Sequence, residues 1–329
     1  MKKNLPRISK ILDEKDVKWC LENNYNLLST EWFVVVEKWM SNSYEVFKDH
    51  EKYLILIYLV KKTFDFYATS LIKLSWDQFF SLKHIELGKF NIIDIAKNLN
   101  IPRETTRRKI AELEKENIIK KNKSGTTVQT AFFNEKFNHN NKDLLKLICA
   151  FIGNFSTLLL EEKIIKEKIK SEQVEKAVFE NFTTSWNIFF DMKIPYLVNC
   201  KNAFGDLESF HIWRTSFVSQ NYEIQKYYKS KNLKVKNKKD FIEGHIKVRK
   251  KTGINAFSIS NICKIPRATV IRKLNKMIRN KHLVIDDKKL YYPNININEK
   301  NPLDKLTNLH IERLSLFLSK LINLTITFK

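Results

Sequence analysis

One stretch of sequence occurs twice in this chain, 164 positions apart, and a fold must house both copies. The first copy runs from Ile92 to Lys121 and the second from Phe257 to Asp286. Aligned without a gap, Ile95 falls on Ile259, Ile101 on Ile265, Pro102 on Pro266 and Arg103 on Arg267. Thr105 then falls on Thr269, Arg108 on Arg272 and Lys109 on Lys273. Apolar character is kept at Thr106/Val270, Ile110/Leu274, Leu113/Met277 and Ile119/Leu283. The separation is half of the 329 residues, which implies a duplicated chain with halves 1–165 and 166–329. The flanks agree: each copy precedes an apolar helix, Asp143–Leu160 and Leu306–Leu324, and follows aromatic-rich apolar stretches. Ser29–Val36 resembles Thr183–Phe190, though at a different offset, and a polar helix over Glu161–Phe179 is expected to join the halves.

Within each copy the spacing predicts two short helices and a sharp turn. Ile92, Ile95, Ala96 and Leu99 make one apolar face. Asn100–Ile101–Pro102 breaks the helix, because the residue before proline is pushed out of the helical region. Proline suits the first turn of the next helix, where a missing N–H costs least. That helix turns Thr106, Ile110 and Leu113 inward and Arg103, Glu104, Arg107 and Arg108 outward. The second copy repeats the pattern, with Ser258 as the expected N-cap. A short hairpin should follow each: Ile118–Lys121 with Thr126–Thr130, and Leu283–Ile285 with Leu290–Tyr292.

The segments IPRETTRRKIAELEKENII and IPRATVIRKLNKMIRNKHLV resemble the recognition-helix-to-wing stretch of bacterial winged helix-turn-helix regulators of the MarR, IclR and Crp-like groups. The resemblance implies a mainly α-helical, internally duplicated protein with two winged helix-turn-helix units, at about 75–134 and 240–294, each with a β-hairpin wing. It also implies a helix in the major groove of double-stranded DNA and a wing on the adjacent backbone. Arg103 and Arg267 are then the candidates for guanine edges, and Thr105, Thr269, Arg108 and Arg272 for phosphates. Glu104, Arg107, Ile271 and Lys273 complete the helix contacts, with Lys123 and Lys288 on the wings. One departure is the absence of the glycine usual before the wing strand, where Asn117 and Lys281 stand.

Charge fits such a partner: 59 Lys and Arg against 36 Asp and Glu give a net +23. Lys226–Lys239 is a lysine-rich run that could follow a phosphate backbone as a basic arm. Other classes are disfavoured. Six scattered glycines leave no phosphate-cradling loop, so a Rossmann or P-loop site is not expected. Four separate cysteines and seven histidines without helical pairing offer no disulfide framework or metal site, and no catalytic signature is present. Neither Tyr53–Val60 nor Leu144–Leu160 reads as a membrane span, and Met1–Leu12 has no signal-peptide core. The expectation is a cytoplasmic, nucleoid-associated regulator of transcription without cofactor or enzymatic activity. It would act as a monomeric pseudo-dimer or a homodimer, with recognition helices about one DNA turn (about 34 Å) apart. A small-molecule effector among the core aromatics is compatible but unnamed. The alternatives are a plasmid- or phage-type replication initiator with two winged helices, or a nonspecific nucleoid-type binder.

Overall fold

The computed structural model describes residues 11–123, 125–233, 235–248, 253–295 and 302–327. Scarce glycine and proline favour long helices, and the protein is mainly α-helical. The first half comprises α1 (Glu14–Asn23), α2 (Tyr25–Phe47), α3 (His50–Thr69), α4 (Trp76–Ser81), β1 (His84–Leu87), α5 (Ile92–Leu99), α6 (Arg103–Lys115), β2 (Ile119–Asn122), β3 (Gly125–Gln129) and α7 (Thr130–Glu161). The second comprises α8 (Ser171–Glu180), α9 (Phe182–Phe204), α10 (Leu207–Ser230), α11 (Lys238–Val248), α12 (Ala256–Cys263), α13 (Arg267–Arg279), β4 (Leu283–Ile285), β5 (Tyr291–Pro293) and α14 (Pro302–Thr327).

The two successions run in the same order, except that β1 has no strand counterpart among the described residues of the second half. Helices α2 and α9 have 23 residues each, α5 and α12 have 8, and α6 and α13 have 13. The start of α2 follows Asn24 and that of α9 follows Asn181, while Asp49 and Asp206 cap α3 and α10 by accepting from Lys52 N and Ser209 N. These early pairs lie 157 positions apart, against 164 for α6 and α13. The extra residues of the second half enter between α10 and α12, where α11 has 11 residues and α4 only 6. The Trp32/Trp186 likeness expected from the sequence is therefore out of step with the helix starts. Antiparallel pairing gives a three-stranded sheet in the order β1-β3-β2. In the second half β4 pairs β5, and the Ile254–Tyr291 bridge stands where β1 pairs β3.

No single helix joins the halves. Helix α7 ends at Glu161, Lys163 takes the left-handed conformation (φ 60°), and α8 begins only at Ser171. The division at 165/166 is a boundary of the chain and not of the core, because one continuous apolar cluster draws on both halves. Helix α9 packs on α3 and α14, α2 on α10 and α7, and α14 on α1. Segment Asn141–Glu161 of α7 is long and apolar enough to cross a membrane, but more than half of it is buried here against neighbouring helices.

Candidate nucleic-acid interface

Each helix pair meets at a left-handed residue, Asn100 (φ 50°) in the first and Lys264 (φ 62°) in the second. That conformation turns the chain sharply, and the next residue, Ile101 or Ile265, is buried. Pro102 and Pro266 sit at the N-cap with nearly equal angles (φ −53° and −54°), so α6 and α13 start alike. Asn255, rather than Ser258, caps α12: its side chain accepts from Ser258 N at 2.8 Å. The inward positions are buried in both copies: Thr106, Ile110 and Leu113, and Val270, Leu274 and Met277. Two residues before each following strand, Asn117 (φ 56°) and Lys281 (φ 59°) are left-handed, so the lysine does what glycine normally does there.

The exposed faces carry most of the expected side chains. Arg103, Glu104, Arg107 and Arg108 are exposed on α6, and Arg267, Ile271 and Arg272 on α13. Thr105 and Thr269 are half-buried, while Lys123 and Lys288 are exposed at the hairpin turns. Ser124, also in the first turn, lies outside the described residues.

Lys273 departs from expectation. It is only 8% exposed, and its Nζ lies 2.5 Å from Asp206, the cap of α10. The same pair exists in the first half, between Lys109 and Asp49, the cap of α3. Burial opposes ionisation of both partners, but the pairing outweighs it: Lys109 is raised above its ordinary range and Asp206 lowered. These lysines therefore fasten each exposed helix to its own half's scaffold and are not available to DNA. The sequence held a signal for this, since Lys109 lies three residues after Thr106 and four before Leu113, on the inward face. The aspartate partner, far away in sequence, gave none.

The two exposed helices differ in electrostatics. On α6, Arg107 pairs with Glu104 (2.6 Å) and Arg108 lies 3.8 Å from Glu112. Helix α13 has no acidic residue, and among the described residues Arg267, Arg272 and Arg279 have no ion-pair partner. Exposed pairs are worth little in stability, but each carboxylate offsets the local field that would meet an anion.

The lysine-rich run is not a free arm. Lys226 and Lys229 belong to α10 and Lys238 and Lys239 to α11, while Val235 and Lys236 are held by Asn26 at 3.0 and 2.9 Å. Lys234 lies outside the described residues.

Each helix pair also touches the other half. The Lys201 ammonium donates to Asn100 O and the Asn202 side chain accepts from Asn100 Nδ2 at 2.6 Å, both at the first turn. Ser41 of α2 donates to Ile262 O of α12 at 3.1 Å. Between α2, α3 and α10 lies a buried polar network. His50 Nε2 meets His211 Nδ1 (3.1 Å), and Glu37 receives His211 Nε2 (3.2 Å) and Thr215 Oγ1 (2.9 Å). Arg214 donates to Phe33 O at 2.9 Å. Neither the network nor the cross-half contacts were visible in the sequence, because their members are distant and lie among apolar runs.

No protein-family model, no curated protein and no solved structure matches this chain.

Proposed function

We propose that this protein binds double-stranded DNA sequence-specifically as a single-chain pseudo-dimer, through two winged helix-turn-helix units of an internally duplicated chain, and that it regulates transcription. The observation that carries the reading is the pairing of α6 with α13. Both are 13-residue helices that begin Pro-Arg after a left-handed turn, and a buried lysine ties each to the capping aspartate of an equivalent helix. Two helices held in the same way, each with arginines exposed near its start, suit two half-sites in the major groove. The net charge of +23 supplies a long-range attraction to the phosphate backbone.

In this reading α6 and α13 share Arg103/Arg267, Thr105/Thr269 and Arg108/Arg272 but differ at Glu104/Ala268 and Arg107/Ile271. The preferred site is therefore an imperfect palindrome whose half-sites agree opposite the shared arginines and diverge beside them. Selection of binders from a random duplex library tests this, followed by titration of the selected site against salt. Arg267→Ala should cost about 1–3 kcal/mol of affinity and relax base preference in one half-site only. A salt-independent affinity would remove the DNA reading. A perfectly symmetric consensus would replace the pseudo-dimer by two chains using the same unit.

A further inference from the structure

Away from both exposed helices, a cavity of about 50 Å³ lies between α3, α4, α7 and α9. Tyr53, Ile57, Val60 and Phe64 line it from α3, and Trp186, Phe190 and Lys193 from α9. Further rings close it, and among the described residues no acidic side chain lines it. Lys193 is 2% exposed, yet among the described residues its only hydrogen bond goes to the Tyr53 hydroxyl (2.8 Å), which also accepts from Trp39 Nε1 (2.9 Å). Its Nζ sits 3.4 Å from the centre of the Trp39 ring. No Asp or Glu among the described residues forms an ion pair with it. An ammonium buried without a counter-ion is costly, and proteins rarely keep one where an apolar residue would pack. At the matching place in the other half the helix carries Val36, and of the longer α11 His245 stacks on Phe217 (4.9 Å) while Phe241 meets it at a tilt (6.0 Å). One half is filled with rings at this place, and the other keeps a space with a lone amine in its wall.

We propose that this cavity binds a short apolar monocarboxylate, whose carboxylate pairs with Lys193 Nζ while its hydrocarbon part lies among the aromatic rings. An aromatic wall with a single cation selects one anionic end and an apolar remainder. The volume limits the ligand to a few carbons, since a far larger cavity is needed to take a benzene ring. Desolvation holds Lys193 well below the ordinary lysine range. Among the described residues, the titratable groups facing it are Tyr53 from α3 and, on the other side of Trp39, Tyr196 of α9 and His310 of α14, none of which supplies a negative charge near neutral pH. Arrival of a carboxylate favours the protonated Nζ, and the bound state is an ammonium–carboxylate pair. Helix α3 also supports α6, and α9 ends on the Asn100 turn, so on the DNA-binding reading the cavity is an effector site for the first unit.

The test uses the full chain without DNA, so that it stands apart from the DNA reading. Acetate is titrated and followed by ligand-observed NMR, with acetamide as its uncharged isostere. Acetate should bind at least roughly tenfold more tightly than acetamide, and Lys193→Met should abolish that preference. Calorimetry in buffers of different ionisation enthalpy should show net proton uptake on binding. Thermal melting reports whether Lys193→Met folds; if it does not, the acid–amide comparison decides alone. Failure of acetate to bind, equal affinity for acid and amide, or binding unchanged in a folded Lys193→Met overturns the proposal.

Discussion

The two halves of this molecule hold their exposed helices in the same way and surround them differently. Lys109–Asp49 and Lys273–Asp206 are one device used twice, yet the contacts around them differ. Where α2 meets α10, Glu37, His211, Arg214 and Thr215 meet inside the core. The matching residues where α9 meets α3 are Ile194, Leu54, Ile57 and Tyr58. The exposed faces diverge as well, with carboxylates paired to arginines on α6 and unopposed arginines on α13. The shared attachment fixes where each helix sits. Core chemistry and surface charge are not set by that attachment, and they make the halves unequal.

The sharpest test of that inequality is Glu37→Ala. It strands His211 and Arg214 without a carboxylate in the core and should cost about 3–5 kcal/mol in a urea titration. Ile194→Ala, at the matching place, leaves only a cavity and should cost about 2–4 kcal/mol. The pH dependence separates the two further. Burial alone would raise the Glu37 pKa, but His211, Arg214 and Thr215 outweigh it and hold the carboxylate below its ordinary range. A depressed acid stabilises the fold above its unfolded pKa, about 4.3, and loses that contribution as pH falls through the folded value. The wild-type chain should therefore lose more stability on acidification than Glu37→Ala does. If Ile194→Ala proves the costlier change, the polar contact is not what distinguishes the two sides.

The shared device predicts equality instead. Lys109→Met and Lys273→Met should each destabilise the fold by about 1–3 kcal/mol, since each leaves a partly buried aspartate without its cation. Similar losses in both variants would confirm that the anchors are equivalent. A Lys273→Met chain with unchanged denaturation midpoint and weakened DNA binding would return Lys273 to the exposed face.

The smallest effect concerns surface charge. Glu104→Gln frees Arg107 and removes one carboxylate from α6, so DNA affinity at low salt should rise by about 0.3–1 kcal/mol and stability should hardly move. Fluorescence anisotropy against the selected duplex at two salt concentrations measures it, and the gain should shrink at the higher one. An affinity that falls instead would make Glu104 a base contact and not a brake on the field.

Much of the helical architecture follows from local rules that act within a few residues. Turn positions Asn100 and Lys264, the prolines after them and the inward spacing of Thr106, Ile110 and Leu113 mark both helix pairs in the sequence alone. So did the hairpins, which form close to their expected limits. The joining helix over Glu161–Phe179 failed because a mixed-charge run is compatible with helix but does not require it, and the chain turns at Lys163. The third strand, His84–Leu87, escaped notice because four residues carry too little alternation to stand out.

What the sequence by itself determined is the repetition, the succession of short elements and the outward arginines, all of which depend on neighbours in the chain. The tertiary structure alone decided that Lys273 faces Asp206, that Lys201 closes on Asn100 of the other half, and that Glu37 finds His211 and Thr215. Each partner lies dozens of residues or more from the group it satisfies. A buried charge is tolerated only where an answering group arrives from elsewhere in the fold, and helical periodicity says which way a side chain points but not what it meets.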